Sequence, residues 1–572
     1  MKVRTLAIVI AIAVLLIVPL VLFACGSPKP TPPPPTQAPA KAAPTAAPTQ
    51  APPTAAPTRA PVEAAPTAAQ AVQAAPSSTP RLRDLDFSPF EKELAAFTSG
   101  RAAEIDTIVK DADIAQVQDA LKAGKLSYTE LTLYFLARIK QYDQTLRTMI
   151  QLNPDALKEA QAADQLLKDG KATGLMVGIP VTLKDNIETA APMHTTGGAE
   201  ILLNNQPKAD ASFVKQLRDA GAVILGKANL SELAGGVSAI AGTSAVGGQV
   251  VNPHGNYSPA GSSAGSGAGT AAYETMVSVG SETSGSLIAP SSWNGVVGMY
   301  PGHGVVDGAN VIPLIKNNDS AGPMGRNVKD VAALLAVIDT LDTDYVAGLD
   351  AKALNGVNAA FLKGDVLAQK SNDLEDNSDN AAIAQLVEKS LAQAGAKVTD
   401  IELTPAGIST QFNLGALLMG GVRHDMISYL VDAGAPIKTL EDLAAYNLKE
   451  PKTRIPYGQG TIDAALPIAQ LKDFKVYEDA TKQVREIAIA TLDAAFADNK
   501  ADVLVSVNNY HSPFYATANY PAISVPMGLR ANGMPVGVTL IGKPGSEAKL
   551  LEYAYALEQA TKLRVDPDLS QK

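Results

Sequence analysis

Cysteine is almost missing from this chain of 572 residues: Cys25 is the only one. A single cysteine excludes an intramolecular disulfide, and its place near the start leaves the folded part without a thiol nucleophile or a cysteine metal site. Histidine is scarce as well. His194, His254, His303, His424 and His511 stand alone, with no His-x-x-x-His or similar ligand spacing, so each reads as a packed or surface histidine and no metal is expected. Basic residues form no run long enough to track a phosphate backbone, and the formal net charge is −10, so no nucleic-acid partner is expected. The chain also has no internal repeat.

Composition then divides the chain unevenly. Lys2 and Arg4 precede an apolar run from Leu6 to Phe23, which reads as the charged and hydrophobic regions of an export signal. Leu22-Phe23-Ala24-Cys25-Gly26 looks like a bacterial lipobox with Cys25 as the residue to be lipidated; the alternative is an uncleaved membrane anchor, since the run approaches spanning length. Both readings put the rest of the protein outside the cytoplasmic membrane, in the cell envelope, joined to the membrane by an N-terminal lipid or anchor. From Pro28 to Pro80 the sequence is nearly all Pro, Ala, Thr and Gln, which cannot bury enough apolar surface to fold and is expected to be an extended tether. The resulting division is 1–25 export segment, 26–85 tether, and 86–572 a single catalytic domain with a peripheral, cleft-shaping region around 341–470.

Within 86–572 the periodicity alternates between strand and helix. Segment 112–170 reads as helices, with a capping box at Ser127-Tyr128-Thr129-Glu130 and an N-cap at Asn153-Pro154. Met176 to Leu183 reads as a buried strand, Asp210 to Ala220 as a helix closed by Gly221, and Ala222 to Leu225 as the next strand. A second such unit runs from Thr275–Val279 to the helix Asp330–Ile338, and strands return at 522–526 and 536–541 before a helix over Glu547–Thr561. This succession predicts an α/β fold whose mixed, largely parallel sheet is covered by helices on both faces.

Three residues in this framework fit acyl transfer. Lys184 closes Gly178-Ile179-Pro180-Val181-Thr182-Leu183-Lys184; Ser262 follows 78 residues later in Gly261-Ser262-Ser263-Ala264-Gly265; Ser286 follows 24 after that, behind Thr283-Ser284-Gly285. Amide hydrolysis needs an activated oxygen nucleophile, a proton carrier for the leaving amine, and donors for the developing oxyanion. Ser286 is the nucleophile expected here, with backbone N–H groups of Thr283, Ser284 and Gly285 as oxyanion or substrate-binding donors. Lys184 is a base only when neutral, so burial must lower a pKa that is ordinarily near 10.4. Apolar Ile179, Val181, Leu183 and Ile187 supply that burial, and Asp185 opposes it if its carboxylate points inward. Taken singly, Lys184 reads better as a solvated lysine at a strand end. Ser262 can pass a proton between the other two, because a hydroxyl both donates and accepts.

These residues and their flanks resemble the amidase signature family across about 112–565. Asn252-Pro253, Pro290-Ser291-Ser292-Trp293-Asn294-Gly295, Asp319-Ser320-Ala321-Gly322-Pro323-Met324, Arg326 and Tyr520-Pro521-Ala522 match its landmarks. Asp185-Asn186-Ile187, Gly226-Lys227-Ala228-Asn229-Leu230-Ser231-Glu232 and Ser281-Glu282-Thr283 look most similar to the bacterial peptide amidase branch. The resemblance implies a Ser-Ser-Lys amidase that acts on a small-molecule or peptide amide without a cofactor, with a cis peptide bond at the bridging serine. A role in feeding ammonia to charged transfer RNA is not expected, because an exported enzyme meets neither ATP nor that RNA. The chain departs from the pattern at Ala260-Gly261, Ala264-Gly265, Ser284 and Tyr300-Pro301-Gly302. The alternative function is therefore a tethered binding lipoprotein on a weak or inactive amidase scaffold.

Two other serine motifs compete. Gly261-Ser262-Ser263-Ala264-Gly265 fits a nucleophile elbow centred on Ser263, but a Pro/Gly/Asn-rich loop precedes it where that elbow needs a strand. Ser546-Glu547-Ala548-Lys549 fits Ser-x-x-Lys, and a serine N-cap with glutamate in the first turn accounts for it.

Overall fold

The computed structural model describes residues 81–372, 374–403 and 414–572. The export segment and most of the tether lie outside these residues. Among the described residues no helix is long and apolar enough to cross a membrane.

Eleven strands form one sheet: β1 (Met149–Leu152), β2 (Pro180–Lys184), β3 (Val223–Ala228), β4 (Val277–Glu282), β5 (Val297–Tyr300), β6 (Ser320–Gly325), β7 (Asn358–Phe361), β8 (Lys397–Asp400), β9 (Val503–Val507), β10 (Ala522–Leu529) and β11 (Pro535–Ile541). Their order is β1-β3-β2-β4-β6-β5-β10-β11-β9-β7-β8. Pairing is parallel in two wings, β3-β2-β4 and β9-β7-β8, and antiparallel through the centre. The wing that carries Lys184 is thus the strand-helix-strand unit read from the sequence. Most strands are buried along their whole length, which explains their continuous apolar runs in place of alternation.

The helices that bear on the site are α1 (Tyr128–Leu146), α2 (Ala156–Lys168), α3 (Ser212–Asp219), α4 (Ala264–Ala271), α5 (Ile288–Trp293), α6 (Val328–Ile338), α7 (Leu414–Gly421), α8 (Gly460–Ala465), α9 (Ser512–Ala518) and α10 (Glu547–Thr561). Helices cover both faces of the sheet. On one, α6 packs against α3 and α10; on the other, α4 packs against α5.

Local signals set several boundaries. At α1 the capping box forms as the sequence predicts: Ser127 Oγ accepts from the Glu130 N–H and Glu130 accepts from the Ser127 N–H. Asn153 does not cap α2, which starts at Ala156. Its Oδ1 accepts from the Asp155 N–H (3.1 Å) in the turn ahead of the helix, while its Nδ2 donates to Ile224 O (2.8 Å) and ties that turn to β3. Residues Met176–Ile179 form a turn rather than the start of β2, because Gly178 takes φ +66° and any Cβ there would meet the Tyr128 ring.

The region expected to be peripheral is partly core. Residues 358–400 contribute β7 and β8, which extend the sheet. Between β7 and β8, Glu375 is buried and pairs with Arg530 Nη2 at 3.0 Å, which ties it to the β10–β11 hairpin.

Candidate active site

Parallel β2 and β4 are neighbours, so their carboxyl ends lie together at one edge of the sheet, where ligands of open α/β sheets bind. Lys184 is the last residue of β2 and Glu282 the last of β4. The Lys184 side chain has no solvent exposure. Its Nζ lies 2.7 Å from Ser262 Oγ, 3.0 Å from Ser281 O and 2.9 Å from Ser281 Oγ, which fills the three tetrahedral directions left by Cε. Asn186 Nδ2 donates to the same Ser281 hydroxyl at 2.9 Å.

Burial pushes the Lys184 pKa down to about 7, against the opposing charges of Asp319 and Glu282. Ile179, Val181, Leu183 and Ile187 are all buried, as the desolvation argument required. Asp185 is buried but turns away from Lys184. Its carboxylate accepts from the Thr196 hydroxyl, from the Thr196 N–H and from the Gly198 N–H, and it faces Lys227.

Ser262 precedes α4, and the Gly261–Ser262 peptide bond is cis. Its carbonyl accepts from the Ser231 N–H at 3.0 Å, and Gly261 is required because a Cβ would lie 2.4 Å from Ser231 Oγ. The glycine-rich text after Ser262 is not an open loop but a fully buried helix. In α4 a Cβ on Gly265 would come within 2.3 Å of Thr148 O, and one on Gly267 within 2.8 Å of Pro290 O. Small residues here permit close helix packing, and this packing sets where Ser262 stands.

Ser286 sits on the loop from β4 to α5, 9 % exposed, and lines the same cleft as Ser262, Thr283 and Ser284. Its carbonyl accepts from the Ser263 N–H at 3.2 Å, which joins the two serine segments. The loop is organised by Glu282, a residue to which sequence reasoning assigns no role. Its carboxylate accepts from the N–H groups of Gly285 (2.6 Å), Leu287 (2.7 Å) and Ile288 (3.0 Å), and from Tyr515 Oη on α9 (2.9 Å). Burial raises the Glu282 pKa while these four donors hold the carboxylate form. Gly285 takes φ +84°, and a Cβ would lie 2.8 Å from Asn509 Nδ2. Its N–H is bound to Glu282, so of the three residues expected to supply donors, Gly285 shapes the loop while Thr283 and Ser284 stand at the cleft.

Asp319, quoted above only as a landmark without a role, is a second buried acid beside the site. It accepts from the Thr283 hydroxyl and from the N–H groups of Leu314 and Ile315, and burial pushes its pKa up to about 7. The signal that could have found both acids is a lone carboxylate inside an otherwise apolar or small-residue stretch, which demands buried partners.

A profile described as Amidase matches residues 130–551. The chain belongs to the amidase signature family. It is 32 % identical to a probable amidase of Arabidopsis thaliana over 80 % of this chain and 92 % of that one. It is 31 % identical to a glutamyl-tRNA(Gln) amidotransferase chain of Microcystis aeruginosa, over 78 % and 97 % of the two chains. Among solved structures, the native peptide amidase from Stenotrophomonas maltophilia is 37 % identical with a TM-score of 0.73, covering 81 % of this chain and 99 % of that one. An amidase family protein from Bacillus anthracis superposes with a TM-score of 0.77 at 33 % identity, over 84 % and 97 %. The protein is an amide hydrolase of this fold.

The competing serines of this amidase have structural work. Ser263 is fully buried, with its hydroxyl donating to Ser281 O (3.0 Å) and accepting from the Ser281 N–H (3.2 Å), so it fastens α4 to β4. Ser546 stands at the N-cap position of α10, but its hydroxyl turns back to Lys543 O (2.6 Å) and does not cap. A Ser-His-Asp constellation unseen in the sequence joins Ser506 Oγ to His511 Nδ1 (2.6 Å) and His511 Nε2 to Asp365 Oδ2 (3.4 Å). Ser506 is 1 % exposed within β9, where no substrate can reach it.

Proposed function

We propose that this amidase hydrolyses its substrate through Lys184, Ser262 and Ser286 with an acyl-enzyme intermediate. The observation that carries the reading is the buried Lys184 Nζ at 2.7 Å from Ser262 Oγ, with a pKa lowered to about 7. A neutral amine has two N–H groups and one lone pair. The Ser281 carbonyl can only accept, so it takes an N–H and leaves the lone pair for a hydroxyl proton.

In the acylation step Ser286 Oγ attacks the amide carbonyl carbon, its proton passes to Ser262, and the Ser262 proton passes to Lys184. The C–O bond to Ser286 forms, and the carbonyl oxygen carries the negative charge. Backbone N–H groups of Thr283, Ser284 and Ser286 are the donors assigned to that charge. Collapse breaks the C–N bond, and the amine leaves with the proton returned from Lys184 through Ser262. Water then adds to the acyl-enzyme by the same relay and releases the carboxylic acid. No cofactor takes part in these steps.

The sequence supports an extracytoplasmic site of action, with the enzyme tethered to the bacterial membrane through Cys25 lipidation or an N-terminal anchor. The test of the mechanism is covalent labelling by a serine-reactive fluorophosphonate: the wild-type protein is labelled on Ser286, and Ser286→Ala is not. Absence of labelling in the wild type would favour a tethered binding protein on this scaffold.

A further inference from the structure

The cleft in front of Ser286 has a volume of about 490 Å³. Among the described residues that line it, none has an ionisable side chain. Its polar groups are hydroxyls and backbone, and its apolar wall comes from Ala234, Ile240, Leu314, Leu418, Met419 and Ala464. That wall is the open side of an apolar cluster: Ala234 and Leu314 are buried in it, and Leu418 and Met419 of α7 pack against it.

Charge is kept out of this cleft by construction. Glu232, two residues from Ala234, is buried and accepts from the Ala245 N–H at 2.9 Å. Asp319 gives its oxygens to Thr283, Leu314 and Ile315, and lines a separate cavity of about 1050 Å³ together with Glu188, Asp307, Asp425 and Asp432. An acyl group that carries an ammonium or a carboxylate therefore finds no counter-charge beside Ser286, and stripping water from an unpaired ion is strongly unfavourable. An apolar acyl group avoids that penalty and gains from burial.

From this we infer that the enzyme acts on amides of uncharged, apolar acids and rejects glutamine and other amides whose acyl part is charged. The inference rests on the amidase reading above and adds the substrate class, with Leu418 and Met419 as specificity-determining residues.

The test compares hexanamide and N-acetyl-leucinamide with glutamine and glutaramate (the monoamide of glutaric acid) on the full-length protein, with fluorophosphonate labelling of Ser286 run alongside. The expected result is a kcat/KM at least about 100-fold higher for the neutral amides. Met419→Arg places a cation on the wall and is expected to raise glutaramate relative to hexanamide by about tenfold or more; Leu418→Arg provides the same measurement at a second position. A protein that is labelled on Ser286 yet hydrolyses glutamine or glutaramate as well as hexanamide overturns this inference alone. A protein that is neither labelled nor active on any amide overturns the amidase mechanism and this inference together.

Discussion

Lys227 Nζ lies 3.7 Å from Asp185 Oδ1, with both side chains fully buried. Asp185 follows Lys184 directly in the chain, yet the strand sends these two side chains to opposite sides of the sheet edge. Lys227 on β3 holds the carboxylate and itself donates to Ile187 O, Thr189 Oγ1 (3.0 Å) and Thr195 Oγ1 (2.8 Å). Asp185 is thereby occupied, and burial is left to dominate the Lys184 pKa.

Removing one partner of this pair leaves an uncompensated buried charge. Lys227→Met is expected to destabilise the fold by about 3–5 kcal/mol. Asp185→Asn is expected to cost less, about 1–3 kcal/mol, because an amide oxygen still accepts from Thr196 and Gly198 and Lys227 keeps its bonds to Ile187 O, Thr189 and Thr195. Chemical denaturation of each variant measures this order, and equal stability of Lys227→Met and wild type would disprove the role given to the pair.

Substitution of the residues proposed to react should leave the fold and remove turnover. Lys184→Ala and Ser286→Ala are each expected to lower kcat by about 10³-fold or more, and the double variant by little beyond either, since groups that act as a unit are not additive. Steady-state hydrolysis of a neutral amide gives the numbers. Normal rates in either single variant would remove the assignment.

The pH profile has a definite sign. Lys184 works as a base only without its proton, and its pKa lies at about 7. Activity should therefore rise with pH, reach half its plateau near pH 7 and fall about tenfold per unit below it. Asp319 favours the ammonium form of Lys184, so Asp319→Asn should move this acid limb to lower pH. A limb that stays in place, or moves upward, contradicts the electrostatic account.

The Tyr515 hydroxyl bonds the Glu282 carboxylate that organises the loop carrying Ser286. Tyr515→Phe is expected to lower stability by about 1 kcal/mol and to reduce kcat more than it changes KM, because it loosens the carboxylate that positions the Gly285, Leu287 and Ile288 N–H groups. Glu282→Gln should have the larger effect on both, since a neutral amide binds those donors more weakly and adds a donor of its own. An unchanged kcat in both variants would show that the loop holds its shape without this carboxylate.

Much of this is legible in the chain itself. The capping box at Ser127 and Glu130, the strand through Leu183 and the helix Glu547–Thr561 are local features, fixed by periodicity, caps and turn residues within a few positions. The types, order and spacing of Lys184, Ser262 and Ser286 likewise point to acyl transfer. Distant partners add what local signals leave open: the Asn153 amide bonds Ile224 O while the helix behind it starts only at Ala156, and the glycines after Ser262 form a buried helix on which Thr148, Asn229 and Pro290 close in.

The order of residues alone points to the side chains proposed to carry the chemistry, and to burial as what has to lower the lysine pKa for them to act. Which acid meets which base is settled by folding. Asp185 turns to Lys227, Glu282 to three loop amides and Tyr515, and Asp319 to Thr283, while the cleft is left without charge. In a buried region of low dielectric, the state of an ionisable group depends on neighbours a few ångströms away, and the fold brings those neighbours from positions far apart in the chain.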